Sequence, residues 1–309
     1  MKITVTGGAG FIGANLAREL LGRGHEVTVL DDLSTGRAQN LDGLSVQFVD
    51  GSILDDASLD AALAGSTSVV HLAARPSVPK SVVDPVTSHT VNATGTMTVL
   101  EAVRRHGVGH IVVASSSSVY GANPVLPKRE DLVPMPVSPY AASKLATEQY
   151  ALAWAASYGL SALAFRFFNV FGPLQPAGHD YAAVVPAFVD AALAGVALPV
   201  HGDGTQSRDF TFVGDVVRVL ADAADQQVAS PSPVNLAFGT RTTLLELIAQ
   251  LEGVVGQPLD RDHQPLRAGD VPHSQADQTR FRQLFPEVRP VPLVEGLEAT
   301  VAWFRSEGG

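Results

Sequence analysis

Met1-Lys-Ile-Thr-Val-Thr6-Gly7-Gly-Ala-Gly10-Phe-Ile-Gly13 opens the chain, and its reading decides the fold. Lys2 to Thr6 is a β-branched strand segment, the glycines make a turn, and an apolar helical pattern starts directly after them. Gly7 permits the tight turn, Gly10 lets the backbone approach a pyrophosphate, and Gly13 lets the helix pack closely on the strand. The start of that helix offers free N–H groups and a positive dipole end to phosphates. Glycine-rich turns also occur for purely structural reasons, but here a second strand, Glu26 to Leu30, ends in Asp31, at the distance where a ribose-binding acid falls. The Asp31 carboxylate is able to accept bonds from both ribose hydroxyls and would repel a 2′-phosphate, and no Arg or Lys follows before Arg37. The pattern predicts a dinucleotide site for NAD rather than NADP.

The 309-residue chain has room for one large α/β domain and a smaller one, and 46% hydrophobic residues support a substantial core. A net charge of -10 argues against nucleic acid or an anionic membrane as the main partner, while leaving room for a local basic phosphate site. Without cysteine there is no disulfide, thiolate metal site or thiol nucleophile. The nine histidines show no metal-ligand spacing, so His71 and the others read as core or surface residues and no metal is expected. The most apolar stretch, Tyr150 to Phe168, is broken by Ser157, Gly159, Ser161 and Arg166, so no membrane span is expected. The chain starts inside a strand, and a cytoplasmic protein without a leader peptide is the expectation.

After Asp31 the polar turn Asp32-Leu-Ser34-Thr35-Gly36 is placed to wrap the adenosine ribose. Strand and helix signals then alternate: Val46–Val49, a helix near Ser58–Leu63, Ser68–His71, a long helix from about Pro85 to His106, and the strand His110–Val113. Such alternation means a parallel sheet covered by helices on both faces. Ala73 and Ala74 fit a ligand-binding strand end and fit tight packing equally well. Ser116, Ser117 and Ser118 follow the next strand, and a proline-rich loop, Pro124 to Pro139, leads into Tyr140-Ala-Ala-Ser-Lys144 at the start of a helix reaching about Tyr158.

Tyr140 and Lys144 lie four residues apart and so share one helical face. One reading is an ordinary amphipathic pair; the other is chemical. A phenol ionises near pH 10, and bringing it to neutrality takes roughly 4 kcal/mol of preferential phenolate stabilisation, which an ammonium and a cationic nicotinamide would supply. Tyr140 would then exchange a proton while hydride moves to or from the cofactor.

Together with His71-Leu72-Ala-Ala74, Ser115-Ser-Ser-Ser-Val-Tyr-Gly121 and Arg166-Phe-Phe-Asn169-Val-Phe-Gly-Pro173, these segments resemble the extended short-chain dehydrogenase/reductases, most of all the NAD-dependent nucleotide-sugar 4-epimerases. The resemblance covers essentially the whole chain. It implies a Rossmann-type doubly wound parallel sheet with a smaller C-terminal α/β substrate domain: residues 1–168 with a return segment at about 211–238 for NAD, and 169–210 with 239–309 for the nucleotide sugar. It also implies that Phe11, Ile12, Ser52, Ile53, Leu72, Asn92 and Phe167 contact NAD beside the glycines, the Asp31–Gly36 turn, Ala73, Ala74, Tyr140 and Lys144. Ser52 stands where many members carry an aspartate against the adenine amine, which leaves Ile53 to offer backbone contacts. In the implied reaction Tyr140 removes the sugar 4-hydroxyl proton, the carbon 4 hydride passes to NAD, and the keto sugar turns over and receives the hydride on its other face. Ser116 bonds the 4-oxygen and Lys144 supports the tyrosine and the nicotinamide ribose.

Related 4,6-dehydratases carry an acidic pair where this chain has Ser117 and Ser118, and decarboxylases carry a glutamate there; serines cannot act as general acids at neutral pH, which favours simple epimerisation. The resemblance further implies that Ser77, Ser117, Asn169, Val184, Val200, His201, Arg208, Arg267 and Asp270 bind the UDP-sugar, the arginines through paired donors to phosphate. Taken alone, Asn169 reads as a turn residue and Arg208 and Arg267 as solvated surface charges; their flanking motifs favour the binding roles. Ser274 falls where epimerases restricted to unacetylated hexoses place a tyrosine, so an open gate for an N-acetyl group is expected. The segments Ser77–Ser81 and Tyr181–Pro186 resemble epimerases of UDP-N-acetylhexosamines. A homodimer joined through helices around Asn92–His106 and Pro139–Tyr158 is expected as well. Two rival readings remain: a UDP-glucuronate 4-epimerase, in which a threonine commonly replaces Asn169, and a non-catalytic NAD-binding scaffold, which would commonly have lost Tyr140 and Lys144. A glycosidase would need two carboxylates across a cleft, and no such pair is evident.

Overall fold

The computed structural model describes residues 1–177, 183–265 and 272–307. Strands β1 (Lys2–Thr6), β2 (Glu26–Asp31), β3 (Gln47–Asp50), β4 (Ser68–His71), β5 (His110–Ser116) and β6 (Ser161–Phe167) join one sheet. After the short strands β7 (Val170–Phe171), β8 (Leu198–His201), β9 (Ser207–Arg208) and β10 (Thr211–Phe212), β11 (Val234–Leu236) returns to that sheet beside β6. The seven strands run in the order β11-β6-β5-β4-β1-β2-β3, every neighbouring pair parallel. Val, Ile and Thr dominate β1 and β4 because both faces of a parallel sheet are covered and β-branched side chains pack well on it.

Helices α1 (Phe11–Gly22), α2 (Asp56–Leu63), α3 (Val78–Val83), α4 (Pro85–His89), α5 (Gly95–Arg105) and α6 (Pro139–Tyr158) lie in the first half. They are followed by α7 (Val184–Ala194), α8 (Val213–Asp225), α9 (Leu244–Val255), α10 (Thr279–Leu284) and α11 (Leu293–Glu307). On one face of the sheet Leu16 and Leu20 of α1, Val216 and Leu220 of α8, and Phe281 of α10 bury against Ile3, Val5 and Val112. On the other, Leu59 of α2, Val99 and Val103 of α5 and Ala151 of α6 meet Val69, Ile111 and Val113. The doubly wound Rossmann-type sheet expected from the sequence is therefore present. A third apolar cluster gathers Phe188 of α7, Val200 of β8, Ile248 of α9 and Val301 of α11.

The long helix expected from Pro85 to His106 is interrupted: residues 90–94 form a wider π turn between α4 and α5, a local departure that periodicity cannot reveal. Helix α6 has clean ends for local reasons: the Ser138 side chain accepts from the Ala141 N–H, Pro139 occupies the first turn where no donor is needed, and Gly159 closes it at φ 71°. Among the described residues no helix is long and apolar enough to cross a membrane.

Candidate active site

The sheet reverses its direction of growth between β1 and β4, and the crevice at the carboxyl ends of those strands is where an open α/β sheet binds ligands. Gly7, Gly10 and Phe11 follow β1, Asp31 closes β2, and Leu72, Ala73 and Ala74 follow β4, so three separate sequence segments meet there. Gly7 has φ +70°, and a Cβ on it would lie 2.6 Å from the Ala73 nitrogen; a Cβ on Gly13 would lie 2.2 Å from the Gly7 carbonyl oxygen. These two glycines set how closely strand, turn and helix approach, as the sequence predicts. No side chain caps the N-terminus of α1 and no acid sits in its first turn, which leaves N–H groups of the Phe11–Ile12–Gly13 turn available to phosphate.

Asp31 is buried, with Oδ2 accepting from the Ala9 N–H and Oδ1 from the Leu33 N–H, each at 2.9 Å. Burial pushes its carboxyl above the ordinary value and those bonds oppose the rise. Asp32 binds the Ser34 N–H at 3.0 Å, shaping the turn that continues through Thr35 to Gly36, which lies against the Asp31 carboxylate. Ser52 accepts from the Leu54 N–H at 3.2 Å; the Ile53 carbonyl is taken by Thr98 Oγ1 at 2.6 Å and its side chain is buried. The glycine turn, open helix end and buried acid fit a dinucleotide whose ribose hydroxyls use the remaining lone pairs of Asp31.

Two expected cofactor residues make contacts within the protein. Asn92 is 1% exposed and its amide is spent within the protein: Oδ1 accepts from Arg75 N–H at 2.7 Å, and Nδ2 donates to Ser143 Oγ at 2.9 Å and to the Arg75 carbonyl at 3.3 Å. It clamps the chain after β4 to helix α6. Phe167 packs its ring on the apolar cluster beneath the sheet end.

Ser116, at the end of β5, sits beside the Tyr140 side chain, where its hydroxyl favours the phenolate, and Lys144 follows one turn along α6 with 5% exposure. Burial pushes Tyr140 above its ordinary value and only the Ser116 bond opposes this, while burial brings Lys144 down to about 8. The low-dielectric site disfavours both charged forms, so the phenolate needs further positive charge beside it. Lys144 still carries its proton predominantly at neutral pH.

The Tyr140 N–H donates to Ser81 Oγ at 3.0 Å, tying the start of α6 to α3. Ser77 caps α3 by accepting from the Lys80 N–H at 3.3 Å and holds φ 101°, a backbone state rare for a side chain other than glycine's hydrogen. His71 is a buried neutral core residue, as read from the sequence: it pairs with Thr6 Oγ1 at 2.7 Å and Thr96 Oγ1 at 3.1 Å, and burial, aided by the Lys144 charge, lowers it to about 3. Among the described residues no group of three or more His, Cys, Asp or Glu is arranged to hold a metal ion.

Beneath the serines lies a pair the sequence reading missed. Glu148 is fully buried and accepts from Arg166 Nε at 2.9 Å and Nη2 at 2.6 Å, a bidentate bridge from α6 to β6. Ser115 Oγ adds bonds to Glu148 Oε2 at 2.8 Å and to the Lys144 carbonyl at 3.1 Å. The signal was available, since Glu148 continues the four-residue spacing of Tyr140 and Lys144 along the same helical face.

Beyond β6, Asn169, Val184, His201 and Arg208 converge on a cavity of about 210 Å³. Phe188, Phe210, Gln206 and Leu244, unpredicted from sequence, complete its walls with Pro199. Val200 was expected there and is instead fully buried in the third apolar cluster; strand alternation turns its neighbours Pro199 and His201 to the cavity. Ser274 is 7% exposed, donates its N–H to the Ser207 carbonyl at 3.0 Å and does not line this cavity. Asp209, buried beside Arg208, stitches the wall together by accepting from Thr240 Oγ1 at 2.9 Å and the Ala276 N–H at 3.1 Å; burial raises it to about 6. Arg267, Asp270 and Tyr181 lie outside the described residues.

A sheet crevice shaped for NAD, with a serine at the end of β5 and a tyrosine and a lysine in the first turns of α6, defines an oxidoreductive enzyme site. The comparisons agree. Residues 3–237 match the NAD dependent epimerase/dehydratase family. The chain is 41% identical to UDP-glucose 4-epimerase of Mycolicibacterium smegmatis over 99% of both chains. A solved UDP-N-acetylglucosamine 4-epimerase from Methanobrevibacter ruminantium, in complex with UDP-N-acetylmuramic acid, superposes with TM-score 0.93 at 34% identity, covering 99% of this chain and 98% of that one. A Thermus thermophilus UDP-glucose 4-epimerase in complex with NAD gives 0.89 at 35% identity and 99% coverage of each. The chain belongs to the NAD-dependent epimerase/dehydratase family, and NAD is its cofactor. Dehydratases and decarboxylases of nucleotide sugars are among its relatives too.

Proposed function

We propose that this protein is a UDP-hexose 4-epimerase interconverting UDP-glucose with UDP-galactose, and UDP-N-acetylglucosamine with UDP-N-acetylgalactosamine, through a transient 4-keto sugar. The observation that carries this reading is the placement of Ser116, at the end of β5, beside Tyr140 of α6, with no acid at 117 or 118 to handle a further proton. NAD supplies a reversible hydride acceptor. Tyr140 takes the 4-hydroxyl proton on its phenol oxygen and returns it, Ser116 donates to the 4-oxygen, and Lys144 contributes positive charge one turn away. Asn169, His201 and Arg208 hold the nucleotide diphosphate in the adjoining cavity, with Ser77 and Ser117 toward the sugar. Because Ser274 is buried against Ser207, acceptance of N-acetyl sugars rests on the likeness to relatives rather than on an open gate at that residue. The division into an NAD half and a nucleotide-sugar half is supported by the third apolar cluster, whose side chains come from 171–210 and 244–301.

Incubating the purified protein, without added NAD, with UDP-glucose, UDP-galactose, UDP-N-acetylglucosamine and UDP-glucuronate and resolving each 4-epimer by chromatography tests the reading. Interconversion of both hexose pairs is expected. Conversion of UDP-glucuronate alone would replace it with the uronate reading, and loss of water or carbon dioxide from any of them would sink epimerisation. We further infer a homodimer, because Val82, Val83, Val86, Met97 and Tyr150 leave apolar side chains exposed on α3–α6. Sedimentation at twice the chain mass is expected; a monomer at micromolar concentration would refute it.

A further inference from the structure

The hydroxyl oxygen of Ser116 receives two hydrogen bonds from one residue. Ser118 donates its backbone N–H to Ser116 Oγ at 3.1 Å and its side-chain hydroxyl to the same oxygen at 2.9 Å. A serine hydroxyl has two acceptor lone pairs and one proton. With both lone pairs occupied, Ser116 is left only to donate. The geometry has a local cause: Ser116, extended at φ -149°, caps the short 3₁₀ turn Ser117–Tyr120, which brings residue 118 back over its oxygen.

We propose that Ser118 is a positioning residue for the reaction: by donating twice to Ser116 it makes that serine an obligate donor, whose single proton points to the Tyr140 oxygen in the substrate-free site and to the sugar 4-oxygen once substrate is bound. The role rests on the assignment of Ser116 and Tyr140 as the reacting pair. A hydroxyl with a free lone pair would divide its time between accepting from protonated Tyr140 and donating to the phenolate. Fixing it as a donor favours the phenolate, the form that removes the substrate proton. Little else competes for Tyr140. β5 and the 117–120 turn offer it serines, with His110 at the opposite end of β5 lowered by burial and Tyr120 raised by burial; α3 contributes the Ser81 hydroxyl to its N–H, and Lys80 is exposed. Asp84 at the cap of α4 is paired with Arg75, His89 is exposed, Arg166 of β6 is held by Glu148, and Arg104 and Arg105 lie at the far end of α5. Lys144 is the charge on α6 nearest in sequence, and His71 of β4 is neutral.

Ser118→Ala keeps the backbone donor and removes the hydroxyl donor, whereas Ser118→Thr keeps both. The first readout is the ultraviolet titration of tyrosinate in the protein without substrate, with the contribution of residue 140 identified by its loss in Tyr140→Phe. In Ser118→Ala this ionisation is expected to move to higher pH by about half to one unit, because one hydrogen bond to the phenolate is weakened. The acid limb of kcat should move the same way and kcat at lower pH should fall roughly three- to tenfold, with KM nearly unchanged. Ser118→Thr should restore both. An unmoved titration, a Thr variant as impaired as Ala, or a loss confined to KM would each overturn the proposal. Normal turnover by Tyr140→Phe would instead fault the assignment of the reacting pair, while the substrate-free titration would still report the hydrogen bond.

Discussion

Tyr140→Phe is expected to lose turnover by on the order of 10²–10⁴-fold while keeping its fold and its NAD. The substitution removes one oxygen. Its ring keeps its place on α6, the Tyr140 N–H keeps its bond to Ser81, and Lys144 and Asp31 are untouched. What disappears is the group beside Ser116 that the proposed mechanism uses to take a proton from carbon 4's hydroxyl and return it. Steady-state epimerisation, melting temperature and bound NAD measured on the same preparation decide the matter. A variant that epimerises within a few-fold of the parent would mean that another group is the base, and a variant that melts early would mean that the phenol is structural.

Removing one half of the buried ion pair should have the largest effect on stability. Glu148→Ala leaves the Arg166 guanidinium buried without its carboxylate, with the Tyr120 ring 4.7 Å from its carbon as the remaining electrostatic partner. The expected cost is about 3–5 kcal/mol, an uncompensated charge in low dielectric rather than the loss of two hydrogen bonds alone. For a chain of this size that lowers the melting temperature by about 10 °C. Glu148→Leu combined with Arg166→Met removes both charges and fills similar volume, so it should regain more than half of the loss. Equal destabilisation by the single and double replacements would show that the bridge acts through shape, not charge. Because Glu148 also receives the Ser115 hydroxyl, a slower reaction in the double variant at normal melting temperature would reveal that the bridge helps to set Ser116 against Tyr140.

The chemistry of the site was written in short stretches. The turn Gly7–Gly13, Asp31 at the end of β2, and the Tyr140–Lys144 spacing each carry their meaning within a few residues, because glycine conformation, helical period and strand ends are local properties. Such signals also located the parallel sheet, and β4 runs over the expected residues Ser68–His71. Three things escaped that reading. The π turn at 90–94 has the apolar pattern of an ordinary helix, and only packing shows that Asn92 spends its amide on Arg75 and Ser143. Val200 and His201 are adjacent in sequence, and only the placement of β8 against α7 and α9 decides which of them is core and which faces the cavity. The ionisation of Tyr140 and Lys144 depends on how completely neighbouring elements exclude water, which residue spacing does not encode.

The sequence by itself thus determined the sheet and the cofactor class, and it singled out Ser116, Tyr140 and Lys144 as the candidate reacting side chains, since these follow from residue type and spacing along one segment. Tertiary structure alone decided which polar groups are already satisfied, which side chains reach the cavity, and how Ser118, Ser116 and Tyr140 line up. Those depend on distances between segments far apart in the chain, and on burial, which no local pattern encodes.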